Sequence, residues 1–185
     1  MLDLNFTPFP VLSTDHLLLR QITQEDVQEM YGLRSDPLIM KYIPRPLAKT
    51  LEDAAEVIQK IEDGVKNAES ISWAITLKQE NKLIGTIGFV RMNKEYYRAE
   101  LGYMLHNDHQ GCGIMKEAIP PVLDFGFTNL KLHSVEATVS PENIPSIKLL
   151  EKNSFIREAY FKENQYYNGR FHDTAIYSLL TPIKN

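Results

Sequence analysis

A chain of 185 residues with 43% hydrophobic side chains can bury one substantial core and reads as a single domain, 1–185. Its net charge of −4, with no basic block, excludes a nucleic-acid surface as its main business and leans toward a basic partner. No apolar run approaches a membrane span, the first residues carry no secretion signal, and one cysteine cannot close an internal disulfide, so a cytoplasmic setting without membrane partners is expected.

Residues 1–12 read as a loose lead-in. Asp15 to Ile22 forms a first strand, and Thr23-Gln-Glu-Asp26 is a capping-box variant that starts a short helix to about Arg34. Leu38 to Ile43, hemmed in by prolines, reads as a helical turn and a loop. Thr50 and Asp53 cap a second helix, whose Leu51, Ala54, Ala55, Ile58 and Ile61 fall on one core-facing stripe. From Ser70 the period becomes that of strands: Ile71–Leu77 and Lys82–Val90 form a hairpin, and Tyr97–Leu105 continues the meander. A helix from Gly113 to about Asn129 contains Pro120-Pro121, where a kink is expected. Leu132–Val139 is a strand, Asn143 to about Asn153 a helix, and Asn168-Gly169 closes a terminal hairpin.

The segment Glu100 to Ala118 concentrates the chemistry. An apolar strand, a polar turn and a glycine-bearing helix entry bring free backbone N–H groups and the positive end of a helix dipole to one point, which is an anion cradle. Gly111 and Gly113 let a diphosphate approach the main chain, and Lys116 adds charge. The third glycine of a dinucleotide fingerprint is missing and so is the P-loop spacing. A plain strand-to-helix turn shares these residues, so the loop alone does not decide.

Gln110-Gly-Cys-Gly113-Ile-Met115 resembles the Gln-x-x-Gly-x-(Gly/Ala) pyrophosphate motif of the GNAT superfamily of N-acetyltransferases, in the context of its RimJ/RimL-like branch, with Met115 departing from the pattern. Asn143-Ile-Pro-Ser146 with Leu149-Leu-Glu-Lys-Asn-Ser-Phe155 resembles that branch's Asn-x-x-Ser-x-x-Leu-Leu-Glu-Lys-x-Gly-Phe block, departing at Pro145 and at Ser154, where Asn153 would take over the left-handed cap. Tyr167 to Asp173 resembles its terminal hairpin, with Gln165 where a basic carboxylate can stand. The element order matches the family over essentially the whole chain.

The resemblance implies an α/β fold: a mixed, mainly antiparallel sheet flanked by helices, with acetyl-coenzyme A between two splayed strands. It implies that Met104, Leu105, Gln110, Gly111, Cys112, Gly113, Ile114 and Met115 hold the coenzyme, that Asn143 reaches its pantetheine, and that Ser146 lies near the thioester sulfur. Glu100 aligns with a strand-borne base; the alternatives are an exposed charge or a water in that role. Ser146 ranks before Tyr160 and Tyr166 as proton donor to the thiolate. Tyr42, Trp73, Tyr166 and Tyr167 are the candidate acceptor-pocket residues. The expected reaction moves an acetyl group to a primary amine, foremost a protein N-terminal α-amine of the ribosomal-protein type. A small amine such as an amino acid, polyamine or aminoglycoside is the rival acceptor, and a non-catalytic acyl-coenzyme A module the rival class. Cys112 and His109 lack a third orienting group, and the five histidines show no metal-ligand spacing, so neither a thiol nucleophile nor a metal is expected. His172, Asp173 and Ser178 share one strand, whose alternation separates them. The chain is expected to work as a monomer or homodimer.

Overall fold

The computed structural model describes Leu2 and residues 4–183. Eight strands, β1 (Leu12–Ser13), β2 (Leu17–Gln21), β3 (Ile71–Leu77), β4 (Gly85–Asn93), β5 (Arg98–Leu105), β6 (Ser134–Val139), β7 (Ile156–Tyr167) and β8 (Arg170–Leu180), form one sheet. Their order is β1-β2-β3-β4-β5-β6-β8-β7, antiparallel throughout except between β5 and β6. Four helices accompany them: α1 (Val27–Ser35), α2 (Leu51–Lys66), α3 (Ile114–Thr128) and α4 (Ile144–Lys152).

Helices cover both faces because the central strands are apolar on both. Ile71, Trp73 and Ile75 of β3 turn into a core shared with Ala118, Ile119 and Val122 of α3, and Leu150 of α4 joins it. Ala74 turns the other way, toward Met30 and Leu33 of α1 and Ala54 and Ile58 of α2. The starts of the helices are written locally. Asp26 accepts from the Thr23 N–H at 3.0 Å, and Arg20 grips the same carboxylate at 2.9 and 2.7 Å. Thr50 Oγ1 accepts from Asp53 N–H while the Asp53 carboxylate accepts from Thr50 N–H, closing the capping box of α2.

Three expectations need correction, and the prolines expected to kink α3 leave its helical run unbroken. The lead-in is not loose: Leu2 and Phe6 are buried in the α3-side core, and Phe9 packs edge-on against Trp73. Leu51 is exposed, because helical side chains lean toward the N-terminus and the first one leans off the end of the packed stripe. α3 runs without interruption through Pro120 and Pro121. Each proline deprives the carbonyl four residues earlier of its ladder donor, and Lys116 and Pro120 lie on the exposed stripe of the helix, within reach of solvent. Finally, the left-handed residue after α4 is Ser154, at φ +65, and not Asn153, whose side-chain amide donates back to the Leu149 carbonyl at 2.8 Å and keeps it on the helix.

The feature that positions the site is a seam. β5 and β6 pair in parallel only from Arg98 to Glu100 against Ser134 to Glu136. Beyond it β5 continues to Leu105 against β4 and β6 to Val139 against β8, so the two halves of the sheet separate. Every second residue of β5 past Glu100 turns its N–H and C=O into that split.

Candidate active site

At the C-terminal end of β5 the chain makes a short 3-10 turn, Asn107–His109, and enters α3 through Gly111 at φ +77 and Gly113 at φ +84. Both glycines stand in the left-handed region that L side chains avoid, and each has open space where a Cβ would lie. No backbone acceptor is found among the described residues for the N–H groups of Gly111 to Lys116, whereas Glu117 N–H already closes on the Gly113 carbonyl at 3.1 Å. These amides converge at the positive end of a fifteen-residue helix. Anchors hold the helix end in place. Glu117 accepts from the Thr14 hydroxyl and the His16 N–H, and the Thr14 bond, against the opposing pull of burial, holds its carboxyl below the usual range.

Gln110 serves the loop itself: its side-chain amide bonds the Leu105 carbonyl at 3.2 Å and the Asn107 side chain at 3.1 Å. Cys112 is exposed on the rim. Leu105 is buried and Met104 half-buried at the end of β5. Across the split, Asn143 caps α4 by accepting from the Ser146 N–H at 3.3 Å, as the helix signals predict.

Ser146 has a partner that sequence reasoning passed over. The Tyr103 hydroxyl lies 2.7 Å from Ser146 Oγ, joining β5 to α4 across the open split. Burial pushes the Tyr103 phenol above its ordinary value, and the hydrogen bond to Ser146 pulls the other way. The phenol therefore keeps its proton at neutral pH. Strand alternation was the available signal: Leu101, Tyr103 and Leu105 share a face, and it is the face of α3 and α4.

Glu100 occupies the last paired position before the split, opposite Glu136, and points to the α2 side. Its side chain is 11% exposed, and Arg91 Nε holds Oε2 at 2.9 Å. Arg98 pairs with Glu136 at 2.8 Å. Around this quartet and Lys60 and Asp63 of α2 opens a cavity of about 810 Å³. A one-residue bulge at Val90 of β4 shifts the register beside it and brings Arg91 level with Glu100.

The expected acceptor residues divide. Tyr167, at the tip of the β7–β8 hairpin, meets Met40 and Lys41 around a cavity of about 160 Å³. Tyr42 carries the Lys41 ammonium 4.8 Å above its ring. Tyr166 is exposed and packs its ring at a 57° tilt against Phe171 outside. Trp73 is a correction: it is fully buried on the α3 face, its indole N–H donating to the Pro10 carbonyl at 2.7 Å, and it touches no acceptor space.

With this geometry in hand, comparison with known proteins is informative. The acetyltransferase (GNAT) domain model matches residues 16–156. The N-acetyltransferase p20 of Bacillus licheniformis is 37% identical, covering 91% of this chain and 95% of its own. Spermidine N(1)-acetyltransferase of Vibrio cholerae is 30% identical over 85% of this chain and 88% of its own. The solved structure of RimL, a ribosomal L7/L12 alpha-N-protein acetyltransferase in complex with coenzyme A, superposes with a TM-score of 0.85 at 19% identity, covering 92% of this chain and 98% of that one, a likeness of fold.

Proposed function

This chain belongs to the GNAT acetyltransferase family and is an acetyl-coenzyme A-dependent N-acetyltransferase, and from that premise we propose that it acetylates an α-amine presented from the α2 side of the sheet, protein N-termini foremost. One observation carries the reading: the split has a donor pair on one face, Tyr103 with Ser146, and a carboxylate on the other, Glu100. Acetyl-coenzyme A supplies an acyl group already activated as a thioester. The protein is left to bind it, to keep an amine neutral, to polarise a carbonyl and to return a proton to sulfur.

In this reading the free N–H groups of Gly111 to Lys116 hold the diphosphate, and Met104, Leu105 and Asn143 line the path of the pantetheine. Backbone N–H groups on the open edge of Tyr103–Leu105 polarise the carbonyl. Ser146, supplied by Tyr103, protonates the departing sulfur. Glu100, directly or through water, takes the proton of the amine. Its engagement with Arg91 favours an undemanding substrate. An α-amine with a pKa of about 7.7–8.0 is roughly a tenth neutral at pH 7, whereas a lysine near 10.4 is neutral in only about one molecule in 2,500. The relatives' names span polyamine and N-terminal acceptors; the α-amine is the one that this carboxylate suits.

The test offers acetyl-coenzyme A with a panel of N-terminal peptides, amino acids and polyamines and follows free thiol. Glu100→Gln is expected to keep its calorimetric affinity for acetyl-coenzyme A while turnover falls at least about a hundredfold, the lower end of general-base effects. Unchanged turnover removes Glu100 from the base role, and no thiol release from any amine returns the chain to a coenzyme-binding module.

A further inference from the structure

The smaller cavity has a chemistry of its own. It forms where the 3-10 turn Ile39–Tyr42 and the residues up to Leu47 meet the tip of the β7–β8 hairpin. Lys41, Arg45, Arg170 and His172 line it, and its wall contains no Asp or Glu. Among the described residues none of these four side chains has a carboxylate within ion-pair distance. In a chain of net charge −4, three cations without a carboxylate partner in one wall, Lys41, Arg45 and Arg170, are not a consequence of composition, and His172 Nε2 accepts from Arg170 Nε at 3.3 Å beside them.

Behind the wall stands a fourth cation. Arg34, in the last turn of α1, is only 8% exposed, and its Nε has no hydrogen-bond partner. Its Nη1 reaches the sulfur of Met40, itself part of the wall, at 3.5 Å. Burial first, and Arg45 second, lower its pKa from the ordinary value. Arg20 shows what a stably placed guanidinium looks like in this fold, with both Nη atoms on the Asp26 carboxylate. A buried guanidinium without an anion is costly, and the cost is relieved when an anion arrives.

The cavity also lies at the mouth of the split. Val139, the last residue of β6, pairs with Ala175, so Arg170 to His172 overhang the open end. Asp36, at the start of the lining segment, accepts from the Asn107 side chain at 2.7 Å, which ties that segment to the turn preceding Gly111. α1, through Met30 and Leu33, and Ile39 of the 3-10 turn belong to the face opposite α3, the face assigned above to the acceptor.

We infer that this cavity is an anion subsite of the acceptor pocket, taking a carboxylate carried a few bonds from the amine that is acetylated. The inference rests on the acyl-transfer reading for the amine, and on the cation cluster for the carboxylate. A volume of about 160 Å³ holds one functional group or short side chain, well below the roughly 300 Å³ at which whole small-molecule sites begin. The carboxylate belongs to a free amino acid or to an acidic residue next to a polypeptide N-terminus. A polyamine is disfavoured, because its second ammonium would face like charges.

Calorimetry with coenzyme A-saturated protein tests this without requiring turnover. Ser-Glu-Ala-Ala-amide is compared with its Gln and Lys counterparts and with free glutamate and spermidine. The Glu peptide should bind at least tenfold tighter than the Gln peptide, about 1.4 kcal/mol, with the Lys peptide and spermidine weakest. Arg45 and Arg170 are exposed, so Arg45→Gln with Arg170→Gln leaves the fold intact, and the Glu–Gln difference should shrink to within about twofold. Equal affinities for Glu and Gln peptides, tightest binding of Lys peptide or spermidine, or a preference that survives the double variant overturns the inference. Tighter binding of free glutamate than of the Glu peptide assigns the carboxylate to amino acids, and the reverse order assigns it to polypeptides. Absence of thiol release with every acceptor, alongside an intact Glu preference, strikes the acyl-transfer reading and leaves the subsite standing.

Discussion

The two ends of the split are built from different material. At the end proposed for the coenzyme the open groups are main-chain amides, presented by Gly111 and Gly113 and by the first turn of α3. At the end proposed for the acceptor they are long cationic side chains gathered from α1, the segment after it and the tip of the last hairpin. A main-chain grip depends on backbone conformation and tolerates most side-chain changes. A side-chain grip is the reverse, and it is where relatives of one fold can diverge in acceptor.

The sharpest way to break this contrast is Gly113→Val. A β-branched residue at φ +84 is strained by about 1–3 kcal/mol and redirects the N–H groups. Affinity for acetyl-coenzyme A should fall by roughly a hundredfold, at the upper end of that strain, with peptide binding at the other end changed little. Undiminished coenzyme affinity would remove the main-chain grip. Tyr103→Phe comes next and addresses the ground between the two ends: kcat should drop by roughly ten- to a hundredfold while affinity for acetyl-coenzyme A holds. Ser146→Ala should behave alike, and the double variant should lose less than the product of the two, as neighbours in one network do. Simple multiplication of the two losses would mean that they act separately. Alkylation of Cys112 is a milder probe, since its thiol is exposed beside the amides. The adduct should impede coenzyme binding and acetyl-coenzyme A should slow the labelling; equal labelling rates with and without it would place the thiol away from the ligand. Thr50→Ala is the control. Loss of the α2 cap should cost about 1 kcal/mol and about 2–4 °C in Tm, with neither end of the split altered. The Asp53 half of that box accepts from Lys49 and Thr50 N–H groups, which hold its carboxyl below the ordinary value. Its contribution is therefore present above the unfolded-state pKa and is lost as the pH falls through the lower folded value. A Tm deficit that grows on acidification in Asp53→Asn relative to the parent would reverse that sign.

How much of this was readable in the chain follows the same division. The Asn168-Gly169 turn, with both residues at positive φ, is dictated by the two residues in it. The caps at Thr50 and Asn143 and the glycine entry to α3 are equally local, which is why those elements could be located. Trp73 could not be placed by alternation, because β3 is buried on both faces and period two does not say which face is the acceptor's. Tyr103 could be assigned a face, but its partner is 43 residues away. Arg34 reads as an ordinary cation on the last turn of a helix; only the packing of Met40 against it reveals that it is buried, with its Nε lacking a hydrogen-bond partner.

The three-residue seam between β5 and β6 has a mechanical consequence. Past Glu100 two inner strands behave as outer ones, so their amides should exchange with deuterium far faster than those of β3, although they lie in the middle of an eight-stranded sheet. Whatever occupies the gap acts as a strut between two plates that are otherwise joined by that seam, by the Tyr103–Ser146 clasp and by the core on the α3 side. Filling it at a hundredfold excess over Kd would stabilise the protein by about 2.7 kcal/mol, and the added rigidity would reach the plate that carries the terminal hairpin, so occupancy at one end would steady the other.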